Sequence, residues 1–170
     1  MSISYLILGG ARSGKSRRAL ALAESIGSTR VFIATAEAWD DEMEERIARH
    51  QDERGFGWST REVPLDLAGE LSRLEAQTDV CVVDCLTLWL SNLMHHGHDV
   101  DRETEKLCEV VSAIRIPIIL VSNEVGLGIV PETRLGRAFR DAQGRLNQAL
   151  ARVCDRVELI AAGLPLTLKG

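Results

Sequence analysis

Gly9-Gly10-Ala11-Arg12-Ser13-Gly14-Lys15-Ser16 separates an apolar run, Ile3–Leu8, from a helical pattern, Lys15–Ile26, that stops at Gly27. The octapeptide fits GxxxxGK[ST], and a strand before it with a helix after it is the setting that motif needs. Its glycines let the backbone curl, so that successive N–H groups point inward at phosphate oxygens. The positive end of the following helix adds to the attraction. Lys15 brings a mobile point charge. At about 4 Å and an effective dielectric near 20, one unit-charge contact is worth roughly 4 kcal/mol before desolvation. The Ser16 hydroxyl suits Mg²⁺. The stretch therefore reads as a loop that holds a nucleoside triphosphate, with all eight residues in contact and Lys15 also serving catalysis. A chance glycine-rich turn is the competing reading; motif and context together disfavour it.

Outward from this loop, short apolar strands alternate with helices. Val31–Ala34 is a second strand, and Asp40 is placed to cap a helix running through Arg54. Trp58–Val63 alternates like a strand and is stopped by Pro64, and Asp66 caps a short helix to Leu74. Val80–Val83 is a buried strand ending in Asp84; Leu86–Met94 is helical, His95–Asp101 a loop, and Arg102–Ile114 a helix. Pro117–Val121 is a strand, Asn123–Pro131 a glycine-rich loop, Thr133–Cys154 a long helix and Val157–Ala161 the last central strand, with a short tail around Leu166–Leu168. Four strands are continuous apolar runs, the mark of burial on both faces of a parallel sheet. The expected fold is α/β: a three-layer P-loop NTPase-like (RecA-like) fold with a mostly parallel central sheet, in one domain over residues 1–170.

With 45% hydrophobic and 26% charged residues, the chain has the balance of a soluble globular protein. A net charge of −5 gives no basic excess for a nucleic-acid backbone and no polybasic run for an anionic membrane. Ile3–Leu8 is too short to span a bilayer, so no membrane insertion is expected. Cys81, Cys85, Cys108 and Cys154 lack CxxC spacing, which suggests neither a zinc site nor a disulfide framework but buried thiols in a reducing cytoplasm.

Asp84 ends a buried strand at the edge where open α/β sheets place their ligands. A carboxylate there is suited to holding Mg²⁺, and this role is favoured over a helix N-cap because a P-loop fold needs an acid after an apolar strand. His50 shares a helical face with Met43 and Ile47. By spacing alone it is more readily a satisfied structural histidine than a nucleophile, although a neutral imidazole can attack phosphorus to give a phosphoramidate.

Three segments together resemble the bifunctional adenosylcobinamide kinase / adenosylcobinamide-phosphate guanylyltransferase family of cobalamin biosynthesis. They are GGARSGKS (Gly9–Ser16), ATAEAWDDEMEERIARHQDER (Ala34–Arg54) and VSNEVGLGIVPETRLGRAFRDAQGRLNQ (Val121–Gln148), with DCLTLWLSNL (Asp84–Leu93) between them. The likeness runs over essentially the whole chain. It implies two activities: transfer of the γ-phosphate of ATP or GTP to adenosylcobinamide, and transfer of GMP from GTP through a histidine to adenosylcobinamide phosphate. By motif position that histidine is His50; some relatives carry a neighbouring histidine where this chain has Arg49. The resemblance also implies nucleotide contacts at Ala34, Thr35, Ala36, Gln51, Asp52, Glu53, Arg54, Glu62 and Asp84, with Mg²⁺ on Ser16 and Asp84, and a homotrimer. Some family members have Glu where this chain has Asp84. A P-loop kinase without guanylyltransfer, or a non-catalytic nucleotide switch, is the alternative reading.

Other features read more plainly. His95, His96 and His98 form a solvated loop cluster rather than a metal patch. Asn123–Gly128 lacks GxGxxG spacing but sits at a strand C-terminus, which favours an active-site role, and corrinoid contact is the expectation for it. Arg137–Asp141 and Asp141–Arg145 are expected as i, i+4 surface pairs. Trp39, Trp58 and Trp89 are expected to pack.

Overall fold

A computed structural model describes residues 3–37, 57–74 and 76–170. Among them lie β1 (Ser4–Gly9), α1 (Lys15–Ile26), β2 (Arg30–Ala34), β3 (Trp58–Glu62), α2 (Leu67–Ser72), β4 (Val80–Asp84) and α3 (Leu86–His95). The remainder comprises α4 (Val100–Ala113), β5 (Ile118–Asn123), α5 (Arg134–Val153), β6 (Arg156–Ala161) and β7 (Leu164–Lys169). The helix expected from Asp40 to Arg54 lies outside the described residues, as does Trp39.

Seven strands form one sheet in the order β3-β2-β4-β5-β1-β6-β7. Every pair is parallel except β6–β7. Because strand side chains alternate between faces, the sheet has two cores. Leu6, Leu8, Ile33, Val83 and Leu120 pack with α2–α5 on one face. Tyr5, Ile7, Phe32, Val82 and Val121 pack with Ala19 and Ala23 of α1 on the other. The α/β three-layer reading with a mostly parallel sheet is borne out. β5 lies between the P-loop strand β1 and the Asp84 strand β4. α1 crosses beneath β1, β5 and β4, so all three strand ends share the α1 face.

Several boundaries differ from expectation for local reasons. α4 starts at Val100 rather than Arg102, because Asp99 caps it, accepting from the Arg102 N–H at 3.1 Å, and acids fill its first turn. The tail is a full strand, β7, joined to β6 through Ala162 (φ 51) and Gly163 (φ 79), a two-residue turn with both residues left-handed. Arg137 donates to the Pro131 and Glu132 carbonyls, while Asp141 takes Arg140 at 2.8 Å and Arg145 approaches Asp101 at 3.8 Å. The two expected i, i+4 pairs therefore give way to a capping role for Arg137 and other partners for Asp141 and Arg145. Trp89 is buried with its indole N–H on the Leu65 carbonyl, and Trp58 packs edge-on against Phe32. The histidine cluster is less free than expected: His95 ends α3, and His96 Nε2 lies 3.2 Å from the Glu37 carboxylate.

Candidate active site at the C-terminal edge of the sheet

β1 is flanked by β5 on one side and β6 on the other, and the chain leaves it toward β2, beyond β5 and β4. This is the point of an open α/β sheet where a crevice forms beyond the strand ends. The glycine-rich loop fills that point. Gly14, at φ 98, is the N-cap of α1 and supplies no side-chain acceptor, and the first turn of α1 contains no acid. The first amides of α1 are thus left to an external anion. At Gly9 a Cβ would overlap Ser13 Oγ and come within 2.8 Å of the Ile160 carbonyl, so the loop closes only around glycine.

The loop is braced from the far side of the sheet. The Gly163 N–H donates to the Ser13 carbonyl at 2.8 Å, and Gly14 and Gly163 pack backbone to backbone. Arg18 of α1 and Glu158 of β6 form a two-pronged ion pair with both bonds at 2.8 Å. The β6–β7 hairpin, read from sequence as a tail, is therefore part of the loop's support.

Lys15 is largely buried and its Nζ donates to the Gly10 carbonyl at 3.0 Å, folding over the loop. Asp84 ends β4 on the same face as Gly9, since Val80 and Val82 lie with Tyr5 and Ile7 in one core. The Cys85 thiol registers both charges. Burial, with the Asp84 carboxylate adding to it, pushes the thiol up to about 11, and the Lys15 cation works in the opposite direction. Thr35 fixes the chain here: its Oγ1 donates to the Cys85 carbonyl at 2.6 Å and accepts from the Cys85 N–H at 2.9 Å. Asn92 of α3 in turn donates to the Thr35 carbonyl at 2.7 Å.

A family model described as cobinamide kinase / cobinamide phosphate guanyltransferase matches residues 5–168. The chain belongs to this family. A relative in Pseudomonas aeruginosa, the bifunctional adenosylcobalamin biosynthesis protein CobP, is 51% identical over 168 residues, covering 97% of this chain and 96% of that protein. The bifunctional adenosylcobalamin biosynthesis protein CobU of Salmonella typhimurium is 37% identical over 179 residues, covering 96% of this chain and 98% of its own. Among solved structures, the RadB recombinase aligns with a TM-score of 0.46 at 14% identity, over 92% of this chain and 73% of that one.

Among the described residues, Ala34, Glu62 and Asp84 end neighbouring strands along one edge. Ala34 pairs in register with Glu62 on one side and Asp84 on the other, and Thr35 and Ala36 follow it. Three strand spacings, about 14 Å, separate the end of β2 from β1. Glu62 is exposed on the outermost strand, farthest from the loop. His50, Gln51, Asp52, Glu53 and Arg54 lie outside the described residues. Ser16, in the first turn of α1, and Asp84 offer a hydroxyl and a carboxylate. That hard-oxygen set fits Mg²⁺, which takes one or two carboxylates and completes its shell with water and substrate phosphate. Among the described residues there is no cluster of three or more His, Cys, Asp or Glu suited to a metal.

Beside this edge lies a buried polar set that the sequence motifs do not announce. Ser122, Gln143 and Asn147 are mutually bonded: Ser122 Oγ to Asn147 Oδ1 at 2.7 Å, and Gln143 Nε2 to both at 2.9 and 3.0 Å. Asn147 Nδ2 then donates to the Asn123 carbonyl at 3.1 Å. The signal was present: Gln143 and Asn147 stand four apart on the apolar stripe of α5 that carries Leu146 and Leu150. Polar residues at core positions call for partners.

Proposed function

We propose that the chain phosphorylates adenosylcobinamide with ATP or GTP and then, with GMP carried on His50, converts adenosylcobinamide phosphate to adenosylcobinamide-GDP. The observation that carries this reading is that Asp84 ends its strand on the same α1-facing side and sheet edge as the glycine loop, in a chain that matches the family over residues 5–168. In the kinase step the acceptor hydroxyl oxygen forms a bond to the γ-phosphorus, the bond to the β–γ bridging oxygen breaks, and the nucleoside diphosphate leaves. The hydroxyl proton passes to solvent. Loop amides from Gly9 to Ser16 and the Lys15 ammonium hold the phosphate oxygens as charge moves onto the leaving group. Ser16 and Asp84 would hold Mg²⁺, which supplies charge neutralisation on the phosphates.

In the second activity a His50 ring nitrogen attacks the α-phosphorus of GTP and pyrophosphate leaves. A phosphate oxygen of adenosylcobinamide phosphate then displaces the histidine, so the activity runs ping-pong. Ala34, Thr35, Ala36, Glu62 and Gln51–Arg54 are read as the residues that carry the rest of the nucleotide; the row at the ends of β2 and β3 supports this by extending the loop's edge sideways. Labelling with GTP marked at the α-phosphate tests the scheme. An acid-labile, base-stable label that disappears in His50→Ala while kinase turnover persists is expected; an active kinase that never takes label overturns the guanylyltransfer half.

We read the assembly as a cytoplasmic homotrimer that binds no nucleic acid. Supporting it are exposed apolar side chains unusual for a lone surface, Leu127, Ile129 and Leu135 near the start of α5 and Leu164, Leu166 and Leu168 along β7. The acidic net charge of −5 speaks against a nucleic-acid partner. No described helix is long and apolar enough to cross a membrane. Sedimentation of the free protein at a single trimer mass checks the oligomer.

A further inference from the structure

Three buried side-chain oxygens have no hydrogen-bond partner among the described residues: Ser13 Oγ, Asn123 Oδ1 and Gln143 Oε1. Ser13 belongs to the phosphate loop itself. Gln143 lies on the opposite face of the sheet, among the α5 contacts. Asn123 is different. It ends β5, the strand between β1 and β4, and is in register with Gly9. Ile119 and Val121 face α1 with Val82, so Asn123 by strand alternation faces α1 too, beside Asp84 and the loop. Asp84 is level with Val121, which places Asn123 two residues, about 6–7 Å, farther toward the open edge.

Its backbone is held on every side. The Asn123 N–H donates to Thr87 Oγ1 at 2.8 Å, its carbonyl accepts from Asn147, and the next amide, Glu124 N–H, donates to the Gly9 carbonyl at 3.0 Å. Two helices and the P-loop strand therefore fix a residue whose own amide side chain makes no bond among the described residues. Buried amide oxygens are almost always paired, and a rigid unpaired one beside a phosphate loop calls for a partner brought by substrate. Chemistry narrows that partner. Oδ1 accepts hydrogen and does not donate it. The phosphates of an ionised triphosphate accept hydrogen as well, so they cannot satisfy it. A hydroxyl can.

We propose that Asn123 is a further catalytic residue of the kinase step, its Oδ1 accepting a hydrogen bond from the acceptor hydroxyl and aiming that oxygen at the γ-phosphorus. The inference rests on the kinase reading above. An amide is no base, so Asn123 orients the nucleophile while the proton leaves to solvent as the new P–O bond forms. The guanylylation of His50 uses GTP without any acceptor hydroxyl and needs none of this.

Asn123→Ala and the near-isosteric Asn123→Leu test it in the full chain, with kinase kinetics, GTP binding and α-phosphate labelling measured on the same preparations. Expected is a roughly 10- to 100-fold loss in kcat/KM for adenosylcobinamide in both variants, with GTP affinity and labelling within threefold of the parent. The proposal is overturned if either folded variant keeps kcat/KM within threefold, or if binding and labelling fall in proportion with kinase turnover. A parent protein with no kinase turnover overturns the functional reading and this inference together; an active parent with equally active variants overturns this inference alone.

Discussion

Arg18 and Glu158 tie the helix that follows the phosphate loop to the strand on the far side of β1, with Nε–Oε2 and Nη2–Oε1 both at 2.8 Å. The carboxylate is the more buried partner, at 11% side-chain exposure against 37% for the guanidinium. Replacing Glu158 with Ala strands a half-buried cation at the sheet. We expect a loss of about 1–2 kcal/mol, since Arg18 is solvent-screened, or roughly 2–8 °C in melting temperature for a chain of this size. Calorimetry of the parent and variant checks this. An unchanged melting temperature would leave the pair without a stabilising role.

Acid should weaken the fold through this residue and one other. The Arg18 hydrogen bond holds the Glu158 carboxyl below its ordinary value, and the Ser4 amide and hydroxyl hold Asp155 below its own. Lowered folded values mean that both contributions are complete above the ordinary carboxylate range and fade as pH drops through the lowered values. Stability should therefore decline below about pH 4–5. Asp155→Asn should show a shallower acid limb in urea unfolding than the parent.

Lys15 is expected to matter to chemistry more than to folding. Among the described residues, its ammonium donates to the Gly10 carbonyl within its own loop. Lys15→Met should reduce kinase turnover at least about 100-fold, because one phosphate charge contact worth several kcal/mol is removed. Its circular dichroism and unfolding midpoint should stay near those of the parent.

Gly163 should show how far the β6–β7 turn controls the loop. At φ 79 it occupies left-handed backbone, and an added Cβ would lie 3.2 Å from the Arg17 guanidinium. Gly163→Ala should cost about 1 kcal/mol of stability and weaken GTP binding severalfold. Isothermal titration would read the second effect; unaltered affinity would mean that the loop holds its shape without the turn.

Cys85 offers a reporter for nucleotide. Its thiol is buried and pushed up to about 11, so alkylation near pH 8 should be slow in the native protein. The Lys15 cation opposes that rise, so drawing Lys15 toward a bound phosphate should slow Cys85 further. Mass spectrometry of alkylated protein with and without GTP would show it.

Much of this site is written locally. The eight residues Gly9–Ser16 demand a strand before them and a helix after them, and Asp84 closes an apolar run that reads only as a buried strand. α4 begins two residues before the Arg102 expected from sequence, because Asp99 caps the helix instead of belonging to the loop before it. The arginines of α5 take other partners than i, i+4 spacing suggests, because spacing ranks neighbours on the helix and says nothing of Pro131, Glu132 or Asp101 approaching from outside it.

The chain by itself determined the phosphate loop, the alternation of strands and helices, and the family, because these rest on residues adjacent along the backbone or on matched strings of sequence. Strand order belonged to the tertiary structure. That order sets β5 between β1 and β4, and so sets Asn123 beside Gly9 although 113 positions lie between them in the chain. It also turns a C-terminal tail into the hairpin that braces Ser13. No local pattern encodes such pairings; they follow from which apolar faces find one another when the sheet closes its two cores.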